Sequence, residues 1–147
     1  MPVMKFDAKR FNELDNKTLH HIFLLRLEVF VVEQECLYQD IDGKDINSIH
    51  IIGKKQEQII AYSRIMNLNN EFCSIGRVLV KKELRKNGIG IKLMEKSIEK
   101  ARKLFNQKKI KISAQEYLKN FYTGLGFKHT GKSYLEDGIP HIEMILN

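Results

Sequence analysis

The order of periodicities along the chain predicts an α/β (α+β) fold: a mixed, mostly antiparallel central sheet flanked by helices. Three observations carry this. Between Ser48 and Val80 lie three short, apolar, β-branched segments separated by polar turn residues, the pattern of an antiparallel meander. From Ile91 to Phe105 the apolar residues recur every three or four positions, too long a stripe for a strand. The last twenty residues read as two strands meeting at Asp137-Gly138.

Taken in order, "MKF" opens the chain as an extended stretch, and a helix is expected from Asn16 or Thr18. Its buried row is Ile22, Leu25, Val29 and Val32, with Leu19, Phe23 and Phe30 alongside. Arg26 and Glu33 share the row of Phe23 and Phe30, where the buried face meets something else; an ion pair between them is the plain structural reading. "QECLYQDIDGKD" is a polar loop with a turn at Asp42-Gly43. The strands "SIHIIGKK", "QIIAYSRIM" and "FCSIGRVLV" follow. Next comes a helix burying Ile91, Met94, Ile98, Ala101 and Phe105 and exposing Lys92, Lys96, Glu99 and Lys103. "KIKIS" is a strand, "QEYLKNFYTGL" a short helix ended by Gly126, and the strand pair closes the chain. No repeat or low-complexity linker interrupts it, so 1–147 is expected to be a single domain, a size that carries a sizeable core.

Composition narrows the function. No apolar run approaches the roughly 18 residues of a membrane span and the N-terminus lacks a signal-peptide core, so a cytoplasmic protein without membrane association is expected. Cys36 and Cys73 are too few for a disulfide framework and lack metal-ligand spacing, so both read as free thiols. The net charge of +7 suits a polyanionic ligand. From Glu33 to Asp45, however, Glu33, Glu35, Asp40, Asp42 and Asp45 face Lys44 alone. "DIDGKD" lacks the glycine spacing and terminal Glu of a calcium loop, so no metal is expected. The acidic segment reads as a solvated loop or as a surface that attracts a cationic amine. A basic nucleic-acid-binding protein is the competing class, but the aromatics do not interleave with the lysines and no helix-turn-helix or RNA-binding signature is present.

The chemistry concentrates at "RKNGIG", Arg85 to Gly90. The strand "RVLV", a short basic loop and a glycine-containing helix start make an anion site, because the first helical N–H groups lack partners. The run is neither a Walker loop nor GxGxxG; it is R-x-x-G-x-G with Lys81, Lys82, Arg85 and Lys86 around it, a cluster suited to a pyrophosphate.

With "NFYTGLGF" downstream, this order resembles the GNAT superfamily of N-acetyltransferases over nearly the whole chain. "LRLEVFVVEQECLYQDIDGKD", "IGRVLV", "SAQEYLKNFYTGLGF" and "EDGIPHIEM" resemble its ElaA-like branch. The resemblance implies the acyl-CoA N-acyltransferase fold and acetyl-CoA as cosubstrate. It implies that the backbone of Arg85, Lys86, Asn87, Gly88, Ile89 and Gly90 holds the pyrophosphate, that a Cβ on either glycine would intrude on it, and that Val78, Leu79 and Val80 pair with the pantetheine arm. It implies Tyr122 as the acid that protonates the CoA thiolate; a phenol holds its proton at neutral pH, although an aromatic core residue is the bland alternative. Gln115 stands where the family often has a pantetheine-binding Asn. Ser74 stands where many members have a catalytic Glu, which leaves Glu33 and His141 as candidate bases for the acceptor amine. Neither cysteine has a His partner, so direct transfer is expected. The acceptor is a small-molecule or peptide amine of unspecified identity, an oligomer is compatible with the sequence, and a non-catalytic CoA-binding regulator of the same fold is the other reading.

Overall fold

The structure, a computed structural model, describes residues 4–106 and 108–147. Seven strands form one sheet in the order β1-β2-β3-β4-β5-β7-β6. They are β1 Lys5–Arg10, β2 Ile49–Lys55, β3 Gln58–Asn67, β4 Phe72–Val80, β5 Lys109–Gln115, β6 Lys128–Glu136 and β7 Ile139–Leu146. Only β4 and β5 run parallel. The mixed, mostly antiparallel sheet with flanking helices is therefore the expected one.

Helix α1, Asn16–Arg26, starts where Asp15 accepts a hydrogen bond from the Thr18 amide at 2.7 Å. It does not continue as an α-helix. Leu27–Glu33 is π-helical, with wider turns that carry later residues off the buried row. Ile22, Leu25 and Val29 pack on Ile52, Tyr62 and Leu79, as expected, but Val32 is 70% exposed, contrary to the α-helical spacing. Helix α2, Ile89–Leu104, covers the other face and seals the larger core with Leu93, Met94 and Ala101. Here the sequence-derived face is off by part of a turn: Ile91 is exposed and Leu93 and Ser97 are buried. Helix α3, Lys119–Gly124, is shorter than expected and is preceded by a 3₁₀ turn over Glu116–Leu118.

Strand β4 carries the irregularity that shapes the site. Its ladder with β5 covers only Phe72–Ser74 against Lys109–Lys111, after which the two strands have no mutual pairing. On its other edge, Tyr62 pairs with Leu79 and Arg64 with Gly76, so two residues of β4 oppose Ser63 alone. This is a β-bulge at Arg77-Val78, with Arg77 in the left-handed region at φ 50°. The extra residue reverses the facing: Cys73 and Ile75 lie in the α2-side core, but beyond the bulge Leu79 joins the α1-side core, and Val78 and Val80 turn toward α2.

The acidic loop holds that bulge. The Arg77 guanidinium sits 2.8 Å from Asp40 Oδ1 and donates to the Asp40 carbonyl at 3.0 Å and Asp42 at 3.3 Å. Arg26, fully buried, donates to Asp40 Oδ2 at 2.9 Å and Asp45 Oδ1 at 2.6 Å. Arg64 grips Asp42 with two bonds of 2.9 Å. His50 Nε2–H donates to the Asp45 carbonyl at 2.9 Å, and Tyr62 donates to its Nδ1 at 2.5 Å. Three guanidinium groups thus neutralise Asp40, Asp42 and Asp45. The loop is neither simply solvated nor a free anionic surface for an amine; its charge is consumed in tying α1, β3 and β4 together. Glu33 does not pair with Arg26, whose three guanidinium nitrogens bond to Asp40 and Asp45.

Breaking such a pair leaves a buried charge uncompensated, so Arg26→Met should destabilise the fold by about 3–5 kcal/mol in urea unfolding. The network also links stability to pH. Burial disfavours the charged Asp42, but its bonds from Arg64 and the Lys44 amide outweigh this and hold its pKa well below the usual carboxylate range. Burial lowers that of His50. Both groups bind protons more readily when unfolded. Their stabilisation should therefore be complete above about pH 6.5, decline as His50 begins to protonate, and fall further below about pH 4. Unfolding midpoints across pH 3–8 check the direction.

Candidate active site

The sequence-derived residues gather around the gap between β4 and β5. At the end of β4 the chain makes a 3₁₀ turn, Lys82–Leu84, then places Lys86 at φ 68° and Gly88 at φ 78°, both left-handed. Asn87 donates its side-chain amide to the Leu84 and Arg85 carbonyls at 3.2 and 3.3 Å. Gly88 is the N-cap of α2 and supplies no side-chain acceptor, so the first amides of a 16-residue helix, Ile89 and Gly90 among them, are left for another partner. A Cβ on Gly88 would meet nothing within 4 Å and would project into open space. The cradle fits a phosphate: uncapped donors, the positive end of a helix dipole, and room in front.

Gly90 differs from the expectation. Its Cβ would point at Phe121, 3.5 Å away, and at Val80 Cγ2, 3.9 Å away. A Cβ there would make ordinary contact with α3 and β4 rather than stand before an anion. Arg85 differs too. Its Nε donates to the Val80 carbonyl at 2.9 Å, and its Nη atoms grip Glu33 at 2.5 and 2.9 Å, so its side chain is spent within the protein. Hydrogen bonding by Arg85 holds the Glu33 carboxyl below its ordinary value, which keeps it ionised in an ion pair. Exposed Lys82 and half-exposed Lys81 complete the basic surround.

Val78 and Val80 are partly buried and Leu79 is buried, on the part of β4 that has no strand on its β5 side. Tyr122, on α3, is 6% exposed and meets Phe121 and Phe127 edge-on at centroid separations of 5.0 and 5.8 Å. Burial pushes its phenol well above the ordinary value, so it keeps its proton. Gln115 ends β5 and donates to Gln34 at 3.3 Å. His141, on β7, stands directly across from Gln115. Its Nδ1–H donates to the Ile139 carbonyl at 2.7 Å, its Nε2 lies 3.3 Å from Glu136, and Tyr134 stacks on the ring. The Ser74 hydroxyl is buried without a hydrogen-bond partner. A cleft of about 310 Å³ beside α1, lined by Leu24, Leu25, Glu28, Gln58, Ile59 and Lys81 among others, shares no residue with β5, α3 or the glycine turn.

The arrangement combines an anion cradle, an adjoining strand edge, a protonated phenol and a histidine on one sheet. Sequence reasoning missed the bulge, the π-helical segment and the Glu33–Arg85 pair. One signal was available: Arg64 inside "QIIAYSRIM" and Arg77 inside "FCSIGRVLV" are charges in otherwise apolar strands, and such charges require carboxylate partners.

Comparison with known proteins bears on the fold and the family. The acetyltransferase (GNAT) domain family matches residues 13–147. Protein ElaA of Escherichia coli is 42% identical over 90% of each chain, and its crystal structure superposes with a TM-score of 0.93 over 99% of this chain and 100% of that one. An acyl-CoA N-acyltransferase from Pseudomonas aeruginosa matches with a TM-score of 0.93 and 35% identity over 99% and 100% of the two chains. A GNAT family acetyltransferase from Elizabethkingia anophelis with acetyl-CoA bound shares the fold, with a TM-score of 0.72 and 17% identity over 98% and 97%.

Proposed function

The chain belongs to the GNAT acetyltransferase family, in its ElaA-like branch, and from that premise we propose that it transfers the acetyl group of acetyl-CoA directly to a primary amine. The single observation that carries this reading is the uncapped, left-handed Gly88 at the head of α2, opening beside the unpaired part of β4. Residues 1–147 act as one domain in this account.

The amides of Gly88, Ile89 and Gly90 receive the pyrophosphate, with Lys86 adding charge at the rim. The pantetheine arm runs between β4 and β5, where Val78, Leu79 and Val80 offer main-chain partners and Gln115 a side-chain amide. Acetyl-CoA supplies an activated acyl group. Amides near Leu79 and Val80 polarise its carbonyl, and holding thioester and amine together supplies much of the rate. The amine arrives protonated and must lose a proton before attack. Glu33 is committed to Arg85, so His141, directly or through water, takes that proton. The N–C bond forms, the C–S bond breaks, and Tyr122 protonates the departing thiolate. Its apolar surroundings suit the task, because they keep the phenol neutral until a sulfur anion appears.

Gly88→Leu should weaken acetyl-CoA binding at least tenfold by filling the cradle, while left-handed strain costs the fold only about 1–2 kcal/mol; calorimetric titration beside thermal unfolding separates the two effects. Against a panel of primary amines, Tyr122→Phe should keep its affinity for acetyl-CoA and lose roughly 100-fold in kcat, and His141→Gln should do the same. Thioester consumption unchanged in both variants would reject the acid and base assignments.

A further inference from the structure

We propose that Glu33 is a positioning residue for the donor site, acting through Arg85 to fix the pyrophosphate turn and to couple it to the π-helical segment. The inference rests on the reading that Arg85–Gly90 receives the CoA pyrophosphate.

The turn itself is poorly self-supporting. Two of its residues, Lys86 and Gly88, are left-handed, and the Asn87 bonds stay within the same loop. Leu84 and Ile89 seat its two ends in the larger core, and its polar tie to distant parts of the chain is the Arg85 fork. One side of the guanidinium holds the Val80 carbonyl at the end of β4, and the other grips both oxygens of Glu33, 52 residues away in sequence. A bidentate guanidinium–carboxylate pair fixes orientation as well as distance. An arginine with this partner presents a set geometry to the loop that follows it; without the partner it is a flexible chain.

Glu33 in turn belongs to a segment that needs clamping. Leu27–Glu33 is π-helical and Glu35 is left-handed at φ 50°, two disfavoured states in succession. Three contacts hold its end across the open side of the sheet: Glu33 to Arg85, Gln34 to Gln115 at the end of β5, and the Cys36 thiol to the Asp137 carbonyl at 3.5 Å in the β6–β7 turn. The segment therefore bridges the β4 side of the gap, its β5 side and the hairpin carrying His141. An anion that orders the turn also orders Arg85, and through Glu33 this bridge.

The test is calorimetric titration of acetyl-CoA into the wild-type protein and into Glu33→Gln and Glu33→Asp, with hydrogen exchange of residues 27–36 followed with and without acetyl-CoA and thermal unfolding as the folding control. Glu33→Gln keeps shape but loses the charged grip. It should weaken acetyl-CoA binding about tenfold, with Glu33→Asp recovering part of the loss. Exchange in residues 27–36 should slow on acetyl-CoA addition in the wild type and much less in Glu33→Gln. Where an amine substrate is turned over, KM for acetyl-CoA should rise and kcat at saturation should hold. Wild-type protein that binds no acetyl-CoA would overturn the donor-site reading and this inference with it. Wild-type binding with undiminished affinity in Glu33→Gln would overturn the inference alone, as would a fall confined to kcat, which would make Glu33 a base.

Discussion

The buried exchange of charge between Arg26, Arg64 and Arg77 and Asp40, Asp42 and Asp45 is the constraint on which the rest of the architecture depends. Three cations and three anions cancel within the α1 side of the fold. Each guanidinium belongs to a regular element and each carboxylate to one loop, so the loop becomes a fastener between helix and sheet. Its most consequential attachment is Arg77. A left-handed arginine within a strand is unfavourable, and the Asp40 and Asp42 contacts offset that cost. The bulge so held redirects the end of β4, sending Leu79 to one core and Val78 and Val80 toward the other.

From that redirection the proposed donor site follows. Because β4 and β5 pair over three residues only, the remaining edge of β4 is available to a ligand's amides as it would be to another strand. The chain leaves β4 through a turn that delivers an uncapped helix start beside this edge. Phe121 and Val80 lie against Gly90, so α3 and its Tyr122 are placed by the same packing that seats the helix. Strand edge, anion cradle and phenol are thus consequences of one local geometry. The proposed acceptor side is assembled differently, from β7 and from the bridging segment after α1.

Much of this was legible in the sequence, and the exceptions are instructive. Period and turn residues placed the strands well, because a half-buried strand advertises itself through alternation and Asp137-Gly138 through its turn chemistry. The turn at Gly88 was legible for the same reason: its left-handed geometry is local. The π-helical segment was not, since Ile22, Leu25, Val29 and Val32 satisfy α-helical spacing and only packing reveals that Val32 leaves the buried face. The expectation that a Cβ on Gly90 would intrude on an anion misses that its direction leads to Phe121, a contact set by α3 docking. The acidic loop read as free charge because its partners are scattered over 51 residues, from Arg26 to Arg77, and no local pattern joins them. Glu33 and Arg85 were each singled out and their pairing was not, for the same reason.

We propose that the opening between β4 and β5, headed by the Gly88 turn, is the seat of acetyl-CoA. A crystal structure of the protein grown with CoA tests it most directly. The pyrophosphate should lie on the amides of Gly88 to Gly90 and the pantetheine arm along Val78 to Val80, with the sulfur toward Tyr122. CoA bound at another surface, or excluded while the gap stays filled by protein side chains, would contradict it.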